Sequence, residues 1–291
     1  MTFPRILIVS AFLFSTPVFA DVSEGLALLE EGQVQQAATT FQEAYEAGDG
    51  DGAFYLGRLF ETGVGAQADP ARAANLYAAG VEKGSVLAMN RLGILYQEGN
   101  VLLRDYAEAA KLLCQAADAG DANGQFNCGL AYFNGQGVGK DVAKAVSLWE
   151  QAAEGDNVAA QNFLGQAYLE GDEAAGIAAD PAKARGYFEK TAEAGNALGL
   201  YQLAQLDAVP GEDGETPVNA VEAYKYASLA AVRGLPDAAR LRDRLEAQMS
   251  AEDVLTAQSA AKTWTEARLN QADASDAADA ALEGEEAPPA E

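Results

Sequence analysis

Residues 122–156 read ANGQFNCGLAYFNGQGVGKDVAKAVSLWEQAAEGD, and this stretch decides the fold. Apolar residues recur every three or four positions on both sides of a glycine-rich loop at residues 135–139, which is the spacing of two amphipathic helices. Asp141 precedes the second apolar stripe, where an aspartate can cap the free backbone N–H groups of a helix. The stretch therefore predicts a helix, a glycine loop and a second helix.

The same pattern recurs along the chain with a period of 36 residues. A small residue marks one register of each first helix, followed three residues later by an aromatic residue in the first four copies: Gly57 and Phe60, Gly93 and Tyr96, Gly129 and Tyr132, Gly165 and Tyr168, with Ala204 and Asp207 in the fifth. Glycine inside a helix costs about 1 kcal/mol relative to alanine. Four glycines at one register therefore indicate that neighbouring helices pack closely there.

These residues resemble a Sel1-like repeat, a relative of the tetratricopeptide repeat. The matching residues are Cys128–Gly129, Tyr132, Gly135–Val138, Asp141, Lys144–Ala145, Trp149 and Ala152–Ala153. The resemblance implies an all-α fold, namely a right-handed superhelical α/α solenoid of Sel1-like repeats with capping helices.

The chain divides into five predicted segments by pattern and composition. They are a signal peptide (1–20), a tetratricopeptide-like hairpin (21–49), five Sel1-like repeats (50–236), C-terminal capping helices (237–270) and a disordered acidic tail (271–291). In the first segment Arg5 precedes a short apolar run, and Val18-Phe19-Ala20 provides a small-residue cleavage site. A retained N-terminal anchor is the alternative. The cleaved form predicts a periplasmic or secreted protein without membrane insertion.

Charge and composition narrow the function. The formal net charge is −25, which disfavours binding to nucleic acid or to anionic lipid. The sequence contains no histidine, the commonest general base and zinc ligand, so serine triads and histidine-paired cysteine nucleophiles are excluded. We expect no enzyme activity, no cofactor and no metal site.

Two short motifs have a catalytic or binding interpretation. Gly135–Lys140 superficially resembles a phosphate-binding loop, but no strand precedes it and Asp141 takes the place of the required Ser or Thr. Ser259 and Lys262 match the Ser-x-x-Lys of penicillin-recognising enzymes, and some cysteine-rich Sel1-like proteins are linked with penicillin binding or hydrolysis. A β-lactam-directed activity is therefore the alternative function.

The two cysteines are candidates for a disulfide. If the turn between two antiparallel helices is centred on Asp121, Cys114 and Cys128 lie at the same level. An oxidising compartment then favours a bond between them, and two buried free thiols are the alternative. Cysteine-rich Sel1-like proteins also bridge adjacent helices near this turn.

The resemblance also implies where a partner binds. In tetratricopeptide relatives the first helices line a concave face that holds an extended peptide or a helix. The variable side chains there predict a partner-binding set of Tyr55, Arg58, Arg91, Asn127, Phe163, Gln166 and Gln202. We expect a protein or peptide partner in the cell envelope, with the chain acting as a scaffold or regulator. The alternatives are an ordinary solvated helix face and a spacer without a partner.

Overall fold

The computed structural model describes residues 21–210 and 217–283, with side chains as far as residue 268. The predicted signal peptide lies outside these residues. The described chain forms fourteen helices and contains no β-strand: α1 (Val22–Glu30), α2 (Val34–Ala47), α3 (Gly50–Thr62), α4 (Pro70–Glu82), α5 (Val86–Glu98), α6 (Tyr106–Asp118), α7 (Ala122–Asn134), α8 (Val142–Glu154), α9 (Val158–Glu170), α10 (Pro181–Glu193), α11 (Ala197–Asp207), α12 (Ala220–Ala231), α13 (Pro236–Glu246) and α14 (Ala251–Glu283). The all-α prediction is confirmed.

The helices are arranged as successive pairs of first and second helices. The pairs that match the sequence period are α3 with α4, α5 with α6, α7 with α8, α9 with α10, and α11 with α12. The chain forms two compact units, one of residues up to Asn127 with 136–138, and one of residues 128–135 with 139 onward.

Capping aspartates mark where three of the second helices begin, as the sequence predicts for Asp141. Asp69, Asp141 and Asp180 each accept a hydrogen bond at 3.0 Å from the backbone N–H three residues later. Pro70 and Pro181 occupy the first helical position, where the missing N–H costs nothing. Sequence and structure therefore agree on these helix starts.

Three of the four repeated glycines lie where an aromatic residue of the second helix crosses the first, and the fourth lies against a leucine. A Cβ atom added at Gly57 would lie 2.5 Å from the ring of Tyr77, and one added at Gly165 would lie 2.5 Å from the ring of Phe188. Tyr77 and Phe188 are at most 1% exposed. The missing side chain thus makes room for a buried ring, as the glycine register predicts.

Helices also precede and follow the repeats. Phe41 of α2 is fully buried between α1 and α3, and Leu245 of α13 packs with Tyr224 and Ala257 at the C-terminal end. Helix α14 continues to Glu283, into the segment for which the sequence predicts disorder, so that boundary differs from the prediction. Residues 284–291 lie outside the described part, and for them disorder stays a prediction.

Candidate partner-binding face

We define the first-helix face as the side of each first helix that carries the predicted partner-binding residues. All seven of these side chains are half-buried. The structure places them in two positions, either two residues before or one residue after the repeated small residue. The two positions behave differently.

In three repeats the residue two before the small residue bonds back to the preceding first helix. Arg91 of α5 donates to the Glu61 carboxylate of α3. The Asn127 amide donates to Asn90 Oδ1 at 3.0 Å. In the second unit, Gln202 Nε2 of α11 donates to Gln166 Oε1 of α9 at 3.1 Å, so these polar side chains join neighbouring repeats.

In the remaining two repeats the same position is aromatic and also contacts the preceding helices. Tyr55 stacks on Phe41 of α2, with ring centroids 5.1 Å apart. Phe163 of α9 lies 4.3 Å from Trp149 of α8, centroid to centroid. This position therefore stabilises the junction between repeats, which the sequence analysis had not predicted.

Glu61 lies at the centre of a hydrogen-bonded group of four side chains. Its carboxylate accepts hydrogen bonds at 2.7 Å from the Tyr77 hydroxyl and at 2.7 Å from Arg58, in addition to the bonds from Arg91. Burial raises the pKa of Glu61, but the hydrogen bonds from Arg91 and Tyr77 and the charges of both arginines outweigh it, so the pKa falls below its ordinary value. The pKa of Tyr77 is raised, first by burial and then by its bond to Glu61.

Arg58 and Gln166 lie one residue after the small residue, and the Arg58 side chain is more exposed than that of Arg91. The Arg58 side chain is 43% exposed and touches Glu61 through one nitrogen. Gln166 donates to Glu170 one turn later in α9 and accepts from Gln202. Arg58 is thus the member of the predicted set with a charged group most open to a partner.

A second recurring contact was missed by the sequence analysis. The aromatic residue three after the small residue lies under a cation from the first turn of the second helix: Phe60 under Arg72 at 3.9 Å, Tyr132 under Lys144 at 4.3 Å and Tyr168 under Lys183 at 4.3 Å. The signal was present, since each cation follows its capping aspartate by three residues. In three repeats these pairs stabilise the packing of the end of the first helix against the start of the second.

Both cysteines are disulfide-bonded, and none is free. Because the sequence contains only Cys114 and Cys128, the predicted bond between them is present.

Neither of the two motifs with a catalytic or binding interpretation lies in the structural context that its function requires. Gly135–Lys140 connects helices α7 and α8, without the strand that a phosphate-binding loop follows. Lys262 is 78% exposed and lies 3.7 Å from Glu266, whereas a lysine base needs burial or a second cation.

The residues that the structure describes hold no cluster of three or more acidic or cysteine ligands for a metal ion. Within them, no helix has the length and apolar content to cross a bilayer.

Comparison with known proteins identifies the class. The Sel1 repeat model matches residues 50–85, 86–121, 122–157, 158–196 and 197–234. The chain therefore belongs to the Sel1 repeat family, and its fold is the predicted α/α solenoid. Proteins of this family are generally scaffolds for protein interactions, not enzymes.

Several solved structures are similar to the chain, and two of them are Sel1 repeat proteins with TM-scores above 0.5. One is a protective antigen of uropathogenic Escherichia coli with a Sel1-like repeat fold: 29% identity, TM-score 0.59, covering 81% of this chain and 50% of that one. The chain thus spans about half the length of that antigen. The other is a Sel1 repeat protein from Oxalobacter formigenes: 24% identity, TM-score 0.62, covering 76% of this chain and 86% of that one. A search of curated proteins gave no match.

Proposed function

We propose that this chain is an exported scaffold that binds a protein segment on its first-helix face and thereby assembles or regulates a complex of the cell envelope. The repeat family supports the scaffold role. The N-terminal sequence and the disulfide support export, because disulfides persist in oxidising compartments.

One observation carries the choice of face. Arg58 and Arg91 share a single carboxylate, Glu61, so the three groups together hold one net positive charge on a protein of net charge −25. Glu61 also restrains both guanidinium groups, so these side chains lose less conformational entropy when a partner binds. An acidic side chain of a partner is the group that fits this cluster.

The experiment compares two matched arginine variants. Arg58 and Arg240 each pair with a carboxylate three residues away, but Arg240 lies on α13, outside the first-helix face. The purified chain from residue 21 onward is immobilised and exposed to solubilised envelope from the organism that encodes it. The Arg58→Ala variant should retain at least tenfold less of the captured partner than the parent, and Arg240→Ala should retain as much as the parent. Equal capture by both variants contradicts the proposed face, and no capture by the parent contradicts the scaffold role.

Export is tested separately. Expression of the full chain in its own organism should give a periplasmic or secreted product whose N-terminus is Asp21. A full-length cytoplasmic product contradicts the proposed location.

A further inference from the structure

One helical glycine has no role in packing. Gly186 lies in the middle of α10, and a Cβ atom added there would meet no atom within 4 Å. At each of the other ten glycines inside the described helices, the added Cβ would meet an atom within 2.9 Å. The corresponding residues of the other repeats all carry side chains: Asn75, Lys111, Ser147 and Lys225. Glycine costs about 1 kcal/mol at such a position, and no internal contact accounts for that cost.

Gly186 lines a cavity of about 280 Å³ between α8 and α10. Ala153 is buried in one wall, and the half-buried ring of Tyr187 lies beside the glycine. The Tyr187 ring stacks on Tyr168, with centroids 5.9 Å apart and an interplanar angle of 11°. Any side chain at position 186 would enter this space, so the glycine keeps the cavity open.

The two walls carry opposite charges that do not pair with each other. Glu150 and Glu154 lie on the α8 side, and Lys183 and Lys190 on the α10 side. The Tyr168 hydroxyl accepts from Lys183 at 2.9 Å and contacts Glu150 at 3.3 Å. Within the described residues, no ion pair joins these carboxylates to these lysines. Oppositely charged walls on a small cavity match a ligand that bears both charges.

We propose that the cavity between α8 and α10 binds an amino-acid-sized zwitterion, either a free amino acid or a dipeptide. The ligand's ammonium group pairs with Glu150 and Glu154, and its carboxylate pairs with Lys183 and Lys190. An aromatic side chain of the ligand packs on Tyr187. The cavity volume lies just below the range of about 300–1,000 Å³ that is typical of ligand pockets, which favours one or two residues over a longer segment. This site is built by second helices, so it is independent of the first-helix face.

Calorimetric titration with four probes tests the ligand chemistry. L-phenylalanine and alanyl-phenylalanine carry both charges, N-acetyl-phenylalanine lacks the ammonium, and phenylalaninamide lacks the carboxylate. At least one zwitterion should bind the purified chain, and each capped probe should bind at least tenfold more weakly than phenylalanine or the dipeptide. The zwitterion that binds more tightly shows whether the site prefers a free amino acid or a dipeptide. No binding by either zwitterion, or equal binding by a capped probe, overturns the proposal.

Two leucine variants test the place. Gly186→Leu fills the cavity and should abolish zwitterion binding, whereas Lys111→Leu, at the same register of another repeat, should bind like the parent. Because a Cβ atom at position 186 meets no atom within 4 Å and leucine has a higher helix propensity than glycine, Gly186→Leu should unfold at no lower urea concentration than the parent. Unchanged binding by Gly186→Leu overturns the proposed site.

Discussion

Glycine-to-alanine exchange at two positions of the same repeat separates helix propensity from close packing. Gly165→Ala and Gly186→Ala make the same chemical change inside helices of one Sel1 repeat. Each gains about 1 kcal/mol of helix propensity. At Gly186 nothing opposes this gain, so we expect Gly186→Ala to be about 1 kcal/mol more stable than the parent.

At Gly165 a steric cost opposes the same gain. The new Cβ would lie 2.5 Å from a ring carbon of Phe188, whereas carbon atoms in contact prefer about 3.5–4.0 Å. Phe188 is 1% exposed, so its ring lies inside the core. Forcing an extra carbon into such a core costs about 1–3 kcal/mol. Gly165→Ala should therefore be about 1–3 kcal/mol less stable than Gly186→Ala.

Urea unfolding followed by far-ultraviolet circular dichroism measures this difference. Because both substitutions lie in one repeat, they report on the same part of the array, and the comparison does not depend on how the rest unfolds. If Gly165→Ala unfolds at the same urea concentration as Gly186→Ala, close helix packing does not explain why glycine recurs every 36 residues, and that explanation is refuted.

Three further predictions concern charged and covalent contacts. Glu61→Gln should lose about 1–2 kcal/mol at pH 7. Because the pKa of Glu61 is lowered on folding, the parent's advantage should be complete above the ordinary value of 4.5 and should disappear as the pH falls through the lower folded-state pKa, as urea unfolding at pH 7 and pH 3 can measure. Cys114→Ser, or reduction of the bond to Cys128, should lower stability by about 3 kcal/mol or less, measured by urea unfolding with and without reductant. Arg185→Met removes the charged hydrogen-bond donor from Asp207, which is 3% exposed, and should cost about 2 kcal/mol by urea unfolding at pH 7.

Each of these predictions has a contradicting result. A constant difference between Glu61→Gln and the parent from pH 7 to pH 3 would show that the carboxylate charge does not stabilise the fold. Identical unfolding of oxidised and reduced protein would show that the bond constrains little of the unfolded chain. An Arg185→Met variant as stable as the parent would show that Asn219, which donates to Asp207 at 3.2 Å, satisfies that carboxylate alone.

The sequence predicted the repeated backbone features and the disulfide, but it missed the side-chain contacts that join the helices. The glycine register, the capping aspartates and the all-α fold follow from patterns that several copies share. Glu61 has no such pattern, because Gln97 and Phe133 occupy its register in the next two repeats. Arg91 and Glu61 are 30 residues apart in the sequence. Whether two such side chains meet depends on how their helices pack, which the sequence spacing does not reveal. Export and partner binding stay predictions.

The end of α14 shows another reason why sequence reasoning falls short. Beyond Asn270 large apolar residues are almost absent, so no buried face could be recognised and the helix was predicted to end. The segment is rich in alanine, the residue with the highest intrinsic helix propensity, and the helix continues to Glu283. Local backbone preference was thus underestimated relative to burial.

The contacts made two residues before each repeated small residue have a consequence for the order of the repeats. The second repeat is joined to the first by an ion pair at Arg91, the third to the second by an amide pair at Asn127, and the fourth to the third by aromatic rings at Phe163. If the second and fourth repeats were exchanged, Phe163 would face Glu61, and Arg91 would face rings instead of a carboxylate. The modules are therefore alike in backbone but not interchangeable, and a shuffled gene should encode a less stable protein than the natural sequence does.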